Sequence, residues 1–358
     1  MLCIYDVLSL FIFILFCIQY KKYYITRYFY YGVFALLFVM CFKSPATGEG
    51  LGDLQEYVNL YLGKSSMYNS DEVEPGLSWI CKLLHIFPLS EFLFISVTSL
   101  IIMSPILYGI TKYSQNKLYS LMLLLTLTGV WLVLYIAMRQ ALAQTFILTA
   151  IFVYLNRDNI KKWKIYIGSL ILLSTFFHST PYILIPLTIV AFFLPQKKKW
   201  FYMALVISLL LSSVVSQLLA NTFLSYFGNV GEVDRISHYI ADETYGMDSG
   251  FNLLNFAPLT ILASLMVYYI EITPKNAFFV KAFVLGIVLY NLLGNIPLVN
   301  RAVCFFFILG AIGSVPKINT QRKFLVMSVL ILYFIWRNNI HYMADSHSAY
   351  LPYHFIWE

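Results

Sequence analysis

The sequence predicts an all-α, polytopic integral membrane protein of about twelve transmembrane helices. Three observations lead there. Hydrophobic residues make up 60 % of the 358 and charged residues only 11 %, against about 45–50 % and about 25 % in soluble domains. Such a chain has too little polar surface to cover a water-soluble globule, which excludes a cytoplasmic enzyme, a secreted domain and a disordered protein. Apolar runs of membrane-spanning character recur from end to end. Between them the breaks alternate between basic and non-basic, the pattern that sets membrane orientation.

Taken in order, the expected spans are 2–19, 28–42, 92–110, 118–138, 141–155, 165–177, 182–194, 201–219, 253–270, 278–293, 302–315 and 324–336. The first lacks a basic stretch ahead of its apolar run. Lys21 and Lys22 follow that run instead, so it reads as a span entered from outside rather than a cleaved signal. The basic breaks lie at 21–27, 112–117, 157–164, 197–199, 275 and 317–323 and hold 16 of the 24 Lys and Arg. The positive-inside rule places them in the cytoplasm and both termini outside. One domain over 1–358 is expected, with its main extracytoplasmic segments at 43–90, 220–252 and 337–358. The inner loops are too short for a nucleotide domain. The six histidines and nearly all the acids fall toward the outer face, where any chemistry is expected.

Local signals refine this picture. No long internal repeat stands out. The segment 76–88 is amphipathic and too short to span, so it reads as an interfacial or re-entrant helix. Pro75, Pro88, Pro105, Pro181, Pro186, Pro258 and Pro297 sit in or beside apolar runs. Each frees backbone carbonyls, and irregular backbone at membrane depth survives only against protein or a cavity. A polar cavity near the outer leaflet follows. The five cysteines are far apart without CxxC spacing, so neither a zinc site nor a disulfide framework is indicated.

Several outer-side residues are chemically suggestive. Arg139, next to Gln140 and between two apolar runs, suits bidentate binding of phosphate or carboxylate. Arg301 repeats that placement at the entrance of the eleventh span. Two such arginines facing one cavity would hold a pyrophosphate; helix-end arginines snorkelling to headgroups are the plain alternative. Arg235 and His238 are three apart, on one face if their loop is helical. His178 ends the sixth span, and an imidazole suits a general base near neutral pH; a histidine bonding free carbonyls at a proline-broken turn is the other reading. Asp53 and Glu74 in the first outer loop offer carboxylates able to deprotonate or hold a sugar hydroxyl. Tyr57 and Tyr61, four apart, offer ring faces to sugars. The tail histidines 341, 347 and 354 lack metal-ligand spacing, so no metal is expected.

These landmarks, in this order, resemble the EpsG-like family of Wzy-type polysaccharide polymerases. The matching pieces are Asp53 with Tyr57, Glu74-Pro75-Gly76, Arg139-Gln140-Ala-Leu-Ala, Phe177-His178-Ser179, Arg301, and the closing Tyr350-Leu-Pro352-Tyr353. One departure is that such proteins often carry an arginine shortly before the aspartate, where this chain has only Lys43. The resemblance implies a GT-C-like helical bundle with short amphipathic extracytoplasmic helices, in the bacterial cytoplasmic (inner) membrane.

The activity implied is a cofactor-independent glycosyltransferase. It would move a growing undecaprenyl-pyrophosphate-linked polysaccharide onto a lipid-linked oligosaccharide repeat unit at the outer leaflet, yielding capsule, exopolysaccharide or O-antigen. Its partners would be the lipid-linked donor and acceptor, membrane lipids and a chain-length regulator, with no nucleic acid. On that reading Arg139, Arg301 and Arg235 bind pyrophosphate. His178, Asp53 or Glu74 serves as base, and Gln140, His238, Tyr57, Tyr61 and Tyr353 contact sugar. The rivals are a flippase or transporter of the lipid-linked unit, an outer-leaflet glycan ligase, and an O-acyltransferase.

Overall fold

The computed structural model describes residues 4–21, 26–45, 53–64, 74–87, 90–127, 129–135, 137–227, 253–294, 297–344 and 353–357. At 53, 132, 213, 216–217, 219–227, 253–255, 297–301 and 339–344 it describes only the backbone. The described residues are helical apart from short connections and one isolated antiparallel bridge, Lys43 to Phe355. In chain order the helices are α1 (Ile4–Lys21), α2 (Arg27–Cys41), α3 (Asp53–Leu62), α4 (Pro75–Leu84), α5 (Glu91–Tyr113), α6 (Lys117–Thr126), α7 (Val130–Tyr135) and α8 (Met138–Leu155). There follow α9 (Trp163–Phe177), α10 (Pro181–Phe193), α11 (Lys198–Phe227), α12 (Leu253–Tyr269), α13 (Ala277–Leu293), α14 (Pro297–Gly313) and α15 (Gln321–Ala344).

By length and composition, α1, α5 and α8 are each able to cross a membrane among the described residues. The other apolar helices, α2, α6, α9, α10, α13 and the described parts of α12 and α14, are shorter. Large apolar side chains such as Phe34, Leu210 and Phe193 stand exposed on the helix surfaces. That is the surface a lipid solvent favours, because lipid tails do not penalise exposed Leu or Phe.

The expected span 118–138 is not one helix. It is broken into α6 and α7 around Gly129, whose φ of +75° is a left-handed conformation open to glycine. Breaking the ladder leaves the last carbonyls of α6 without helical partners. The Asn338 side-chain amide, from α15, donates to the carbonyls of Leu125 (3.4 Å) and Thr126 (3.0 Å). A half-buried polar side chain thus satisfies the freed backbone, as irregular structure at membrane depth demands. At the start of α6, the Asn116 side chain accepts from the Tyr119 amide at 3.1 Å, an ordinary N-cap.

Two compact units divide the chain: residues 1–186 with 318–358, and residues 187–317. In the first, α8 packs on α5 and α9, α5 on α2, and α1 on α2, α6 and α15. The short α3 and α4 lie against α5 and α9. In the second, α11, α13 and α14 pack together with α12 alongside. There Gly286 and Gly313 sit where an added Cβ would come within 2.5 Å of Phe306 and Phe279 respectively. Small residues let the α13 and α14 backbones approach closely, the usual way membrane helices gain packing energy.

At one end of the first unit the chain's tail is tied down. The Ser44 amide donates to the His354 carbonyl at 2.8 Å and the Ile356 amide to the Phe42 carbonyl at 3.0 Å. The Tyr353 hydroxyl donates to the Val39 carbonyl at 3.0 Å.

Candidate functional site

The site is built where α8 begins. Arg139 is the second residue of that helix. The N-cap, Ala137, has no side chain able to cap α8, and the positive end of the helix dipole adds to the arginine's attraction for anions. The guanidinium Nε donates to the Tyr57 hydroxyl at 2.9 Å, and Nη1 donates to Glu74 Oε2 at 2.5 Å. Its carbon also lies 5.2 Å from the centre of the Tyr57 ring. The Arg139 and Glu74 side chains are 16 % and 28 % exposed, shielded enough to strengthen the pair yet open enough for exchange with a ligand.

Each partner reaches Arg139 for a local reason. Glu74 precedes Pro75, which is biased against helix, and takes an extended conformation with φ −55° and ψ 139°. Pro75 then starts α4 at the position where a missing amide costs nothing. Glu74 is the N-cap of α4, yet its carboxylate makes no capping bond; it turns to Arg139 instead. Gly76 fixes this entry. A Cβ there would stand 2.8 Å from Phe177 Cγ and 2.9 Å from the Phe176 carbonyl. Only glycine lets α4 seat on the end of α9, and Phe177 in turn stacks on Phe146 of α8 at 5.2 Å. The first turn of α4, the end of α9 and α8 are thereby locked together.

His178 follows that end of α9 and is half-buried. Its Nδ1 accepts from the Thr180 amide at 3.0 Å. A neutral ring with Nδ1 accepting carries its proton on Nε2. In that tautomer His178 donates from Nε2.

The other expected site residues fall as follows. Tyr57 is buried in α3 with its hydroxyl on Arg139. Tyr61, one turn later, is fully buried. Its ring stacks on Phe94 at 5.0 Å and meets the His85 ring at 5.3 Å, so both faces lie against protein. Gln140 is buried in α8 at 3 % exposure. Asp53 opens α3 one turn before Tyr57, with its side chain outside the described residues. Tyr353 bonds α2 and packs edge-on to Tyr5 at 6.0 Å. Arg301 lies in the first turns of α14 in the other unit, its side chain outside the described residues. Arg235 and His238 lie outside the described residues altogether. Among the described residues no three of His, Cys, Asp or Glu gather as metal ligands.

Sequence reasoning passed over Lys43 as a site residue. It is buried at 1 % exposure, donates to the Tyr135 carbonyl at the end of α7, and sits 4.0 Å from the centre of the Tyr135 ring. Tyr135 stands four residues before Arg139, so Lys43 braces the junction that aims α8. Burial pulls its pKa down from 10.5 to about 7. The one signal was its position, a lysine where an arginine was expected shortly before Asp53.

Arg139 is thus held between a carboxylate and a phenol in the first turn of α8, and a guanidinium is a group that binds oxyanions. No curated protein and no solved structure gives a significant match to the chain. The family model described as EpsG family matches residues 33–355, which include every group just placed around Arg139. The chain therefore belongs to the EpsG family, membrane proteins associated with polysaccharide polymerases.

Proposed function

We propose that this protein is a membrane glycan polymerase. It transfers the growing polysaccharide from undecaprenyl pyrophosphate onto the next lipid-linked oligosaccharide repeat unit, at the outer leaflet of the cytoplasmic membrane. The observation that carries the reading is the Arg139–Glu74 pair, a cation already paired with an oxyanion in the first turn of α8. Membership of the EpsG family supports the product class.

In the reaction, the donor's diphosphate takes the guanidinium and displaces Glu74. Arg139 then stays charged as negative charge builds on the departing diphosphate, the point at which a fixed cation contributes most. The Tyr57 hydroxyl holds the guanidinium in plane. Released from the pair, the Glu74 carboxylate accepts the proton of the acceptor sugar hydroxyl. That oxygen forms the new bond to the anomeric carbon, the bond from carbon to diphosphate oxygen breaks, and the lipid diphosphate leaves. The transition state is oxocarbenium-like, as in glycoside hydrolysis. His178 donates a hydrogen bond to the sugars. No cofactor takes part.

The test is direct. The purified full chain is incubated in detergent with lipid-linked repeat units and the products are separated by size. A ladder of repeat multiples supports polymerisation. Unchanged substrate that moves between leaflets in liposomes would make the protein a flippase. A single addition to another acceptor would make it a ligase, and product formed only with an acyl donor would make it an O-acyltransferase.

A further inference from the structure

At the other end of α8, a groove of about 650 Å³ opens between the C-terminal ends of α5 and α8. It is separate from the Arg139 site: Asn156 follows Arg139 by seventeen steps along α8, about 26 Å at 1.5 Å per residue. The floor is apolar, with Pro105, Phe152, Val153 and Ile160; the rim is polar, with Ser104, Thr149, Asn156 and Lys112. Pro105 lies inside α5 at this level.

Lys112 is the only cation in the lining, and neutral oxygens hold it in place. Its ammonium donates to Asn156 Oδ1 at 2.5 Å and to the Tyr108 hydroxyl at 3.0 Å. Among the described residues no carboxylate pairs with it. The adjoining connection 157–164 carries Arg157, Lys161, Lys162 and Lys164 against one acid, Asp158. An oriented ammonium with no counter-anion among the described residues, an apolar floor beside it and a basic connection next to it in the chain form a receptor for an amphiphile with an anionic head. Soluble anions would gain nothing from the floor, and an acyl chain alone would gain nothing from the lysine.

We propose that this groove binds an anionic phospholipid, its phosphate on Lys112 and Asn156 and the start of one acyl chain along Pro105 and Val153. A zwitterionic lipid brings its own cation to the same place and loses the advantage. One juxtamembrane cation is worth about 1 kcal/mol toward an anionic lipid, or about fivefold in affinity. This site is independent of the glycan chemistry proposed above, and neither reading depends on the other.

The test is native mass spectrometry of the detergent-purified full chain with phosphatidylglycerol or phosphatidylcholine. The wild type retains phosphatidylglycerol about fivefold more tightly. Lys112→Gln abolishes that preference, Lys112→Arg keeps it, and Val153→Trp, which fills the floor without touching charge, lowers retention of phosphatidylglycerol. Apparent melting temperatures of the variants in phosphatidylcholine confirm folding. Equal retention of the two lipids by the wild type overturns the proposal. So does a preference that survives Lys112→Gln, or phosphatidylglycerol retention unchanged in Val153→Trp.

Discussion

Replacing Gly76 by alanine isolates the contact that aims Glu74. The new methyl would stand 2.8 Å from Phe177 Cγ and 2.9 Å from the Phe176 carbonyl. Ordinary contact begins at 3.4 Å, so α4 must retreat by roughly 0.6 Å, because a backbone carbonyl cannot swing aside and Phe177 is pinned on Phe146. Overpacking of this kind costs about 1–3 kcal/mol. Glu74 lies two residues away and moves with the helix start, so its 2.5 Å bond to Arg139 lengthens toward 3 Å. Misplacement approaching 1 Å at a reacting group lowers turnover by up to about a hundredfold, and roughly tenfold is expected here. Gly168→Ala is the control: that glycine lies in α9 with nothing within 4 Å of an added Cβ, so alanine there is neutral or stabilising by up to about 1 kcal/mol. The assay is apparent melting temperature in detergent together with ladder formation from lipid-linked units. A Gly76→Ala protein as stable and as active as Gly168→Ala would refute the packing argument.

Three further outcomes follow from other contacts. Asn338→Leu leaves the Leu125 and Thr126 carbonyls without their donor and lowers stability by about 1–3 kcal/mol, read as a lower melting temperature; Asn338→Gln restores part of it. Lys43 is held near a pKa of 7 by burial, against 10.5 when unfolded. Between those values the unfolded chain binds more protons, so stability rises with pH from about 7 toward 10. Lys43→Met flattens that stretch of the melting profile, and an unchanged slope would count against the buried amine. Cys81, in α4, is pushed up to about 11, chiefly by burial, so maleimide labelling at pH 7.5 is slow until the protein unfolds.

Much of the architecture was legible. The runs at 92–110 and 165–177 correspond to Glu91–Tyr113 and Trp163–Phe177, because membrane helices announce themselves by uninterrupted apolar composition. The amphipathic segment 76–88 reads as a helix too short to span, and α4 is such a short helix over Pro75–Leu84. The break between α6 and α7 was hidden because Gly129 sits in an apolar stretch. Hydropathy registers side chains and not a broken hydrogen-bond ladder, and the compensating Asn338 is more than two hundred residues away.

The site was legible in its residue types and not in its pairing. Arg139 and Glu74 were both singled out, but 65 residues separate them and no spacing rule links them. Tyr57 and Tyr61 looked alike as neighbours on one helix face. Tertiary packing gave one a hydroxyl on Arg139 and covered the other with Phe94 and His85. Lys43 read as an ordinary loop cation because only the docked tail and the end of α7 bury it.

The central claim is that Glu74 occupies the seat on Arg139 that a diphosphate takes. It is tested most directly by measuring the affinity of farnesyl diphosphate, a short-chain stand-in for the lipid carrier, for the purified wild type, Arg139→Ala and Glu74→Gln. Opposite shifts are expected. Arg139→Ala weakens binding about tenfold or more, the worth of a charge-assisted hydrogen bond, whereas Glu74→Gln tightens it by removing the competing carboxylate. Equal affinities in all three proteins, or weakening by both substitutions, would contradict it.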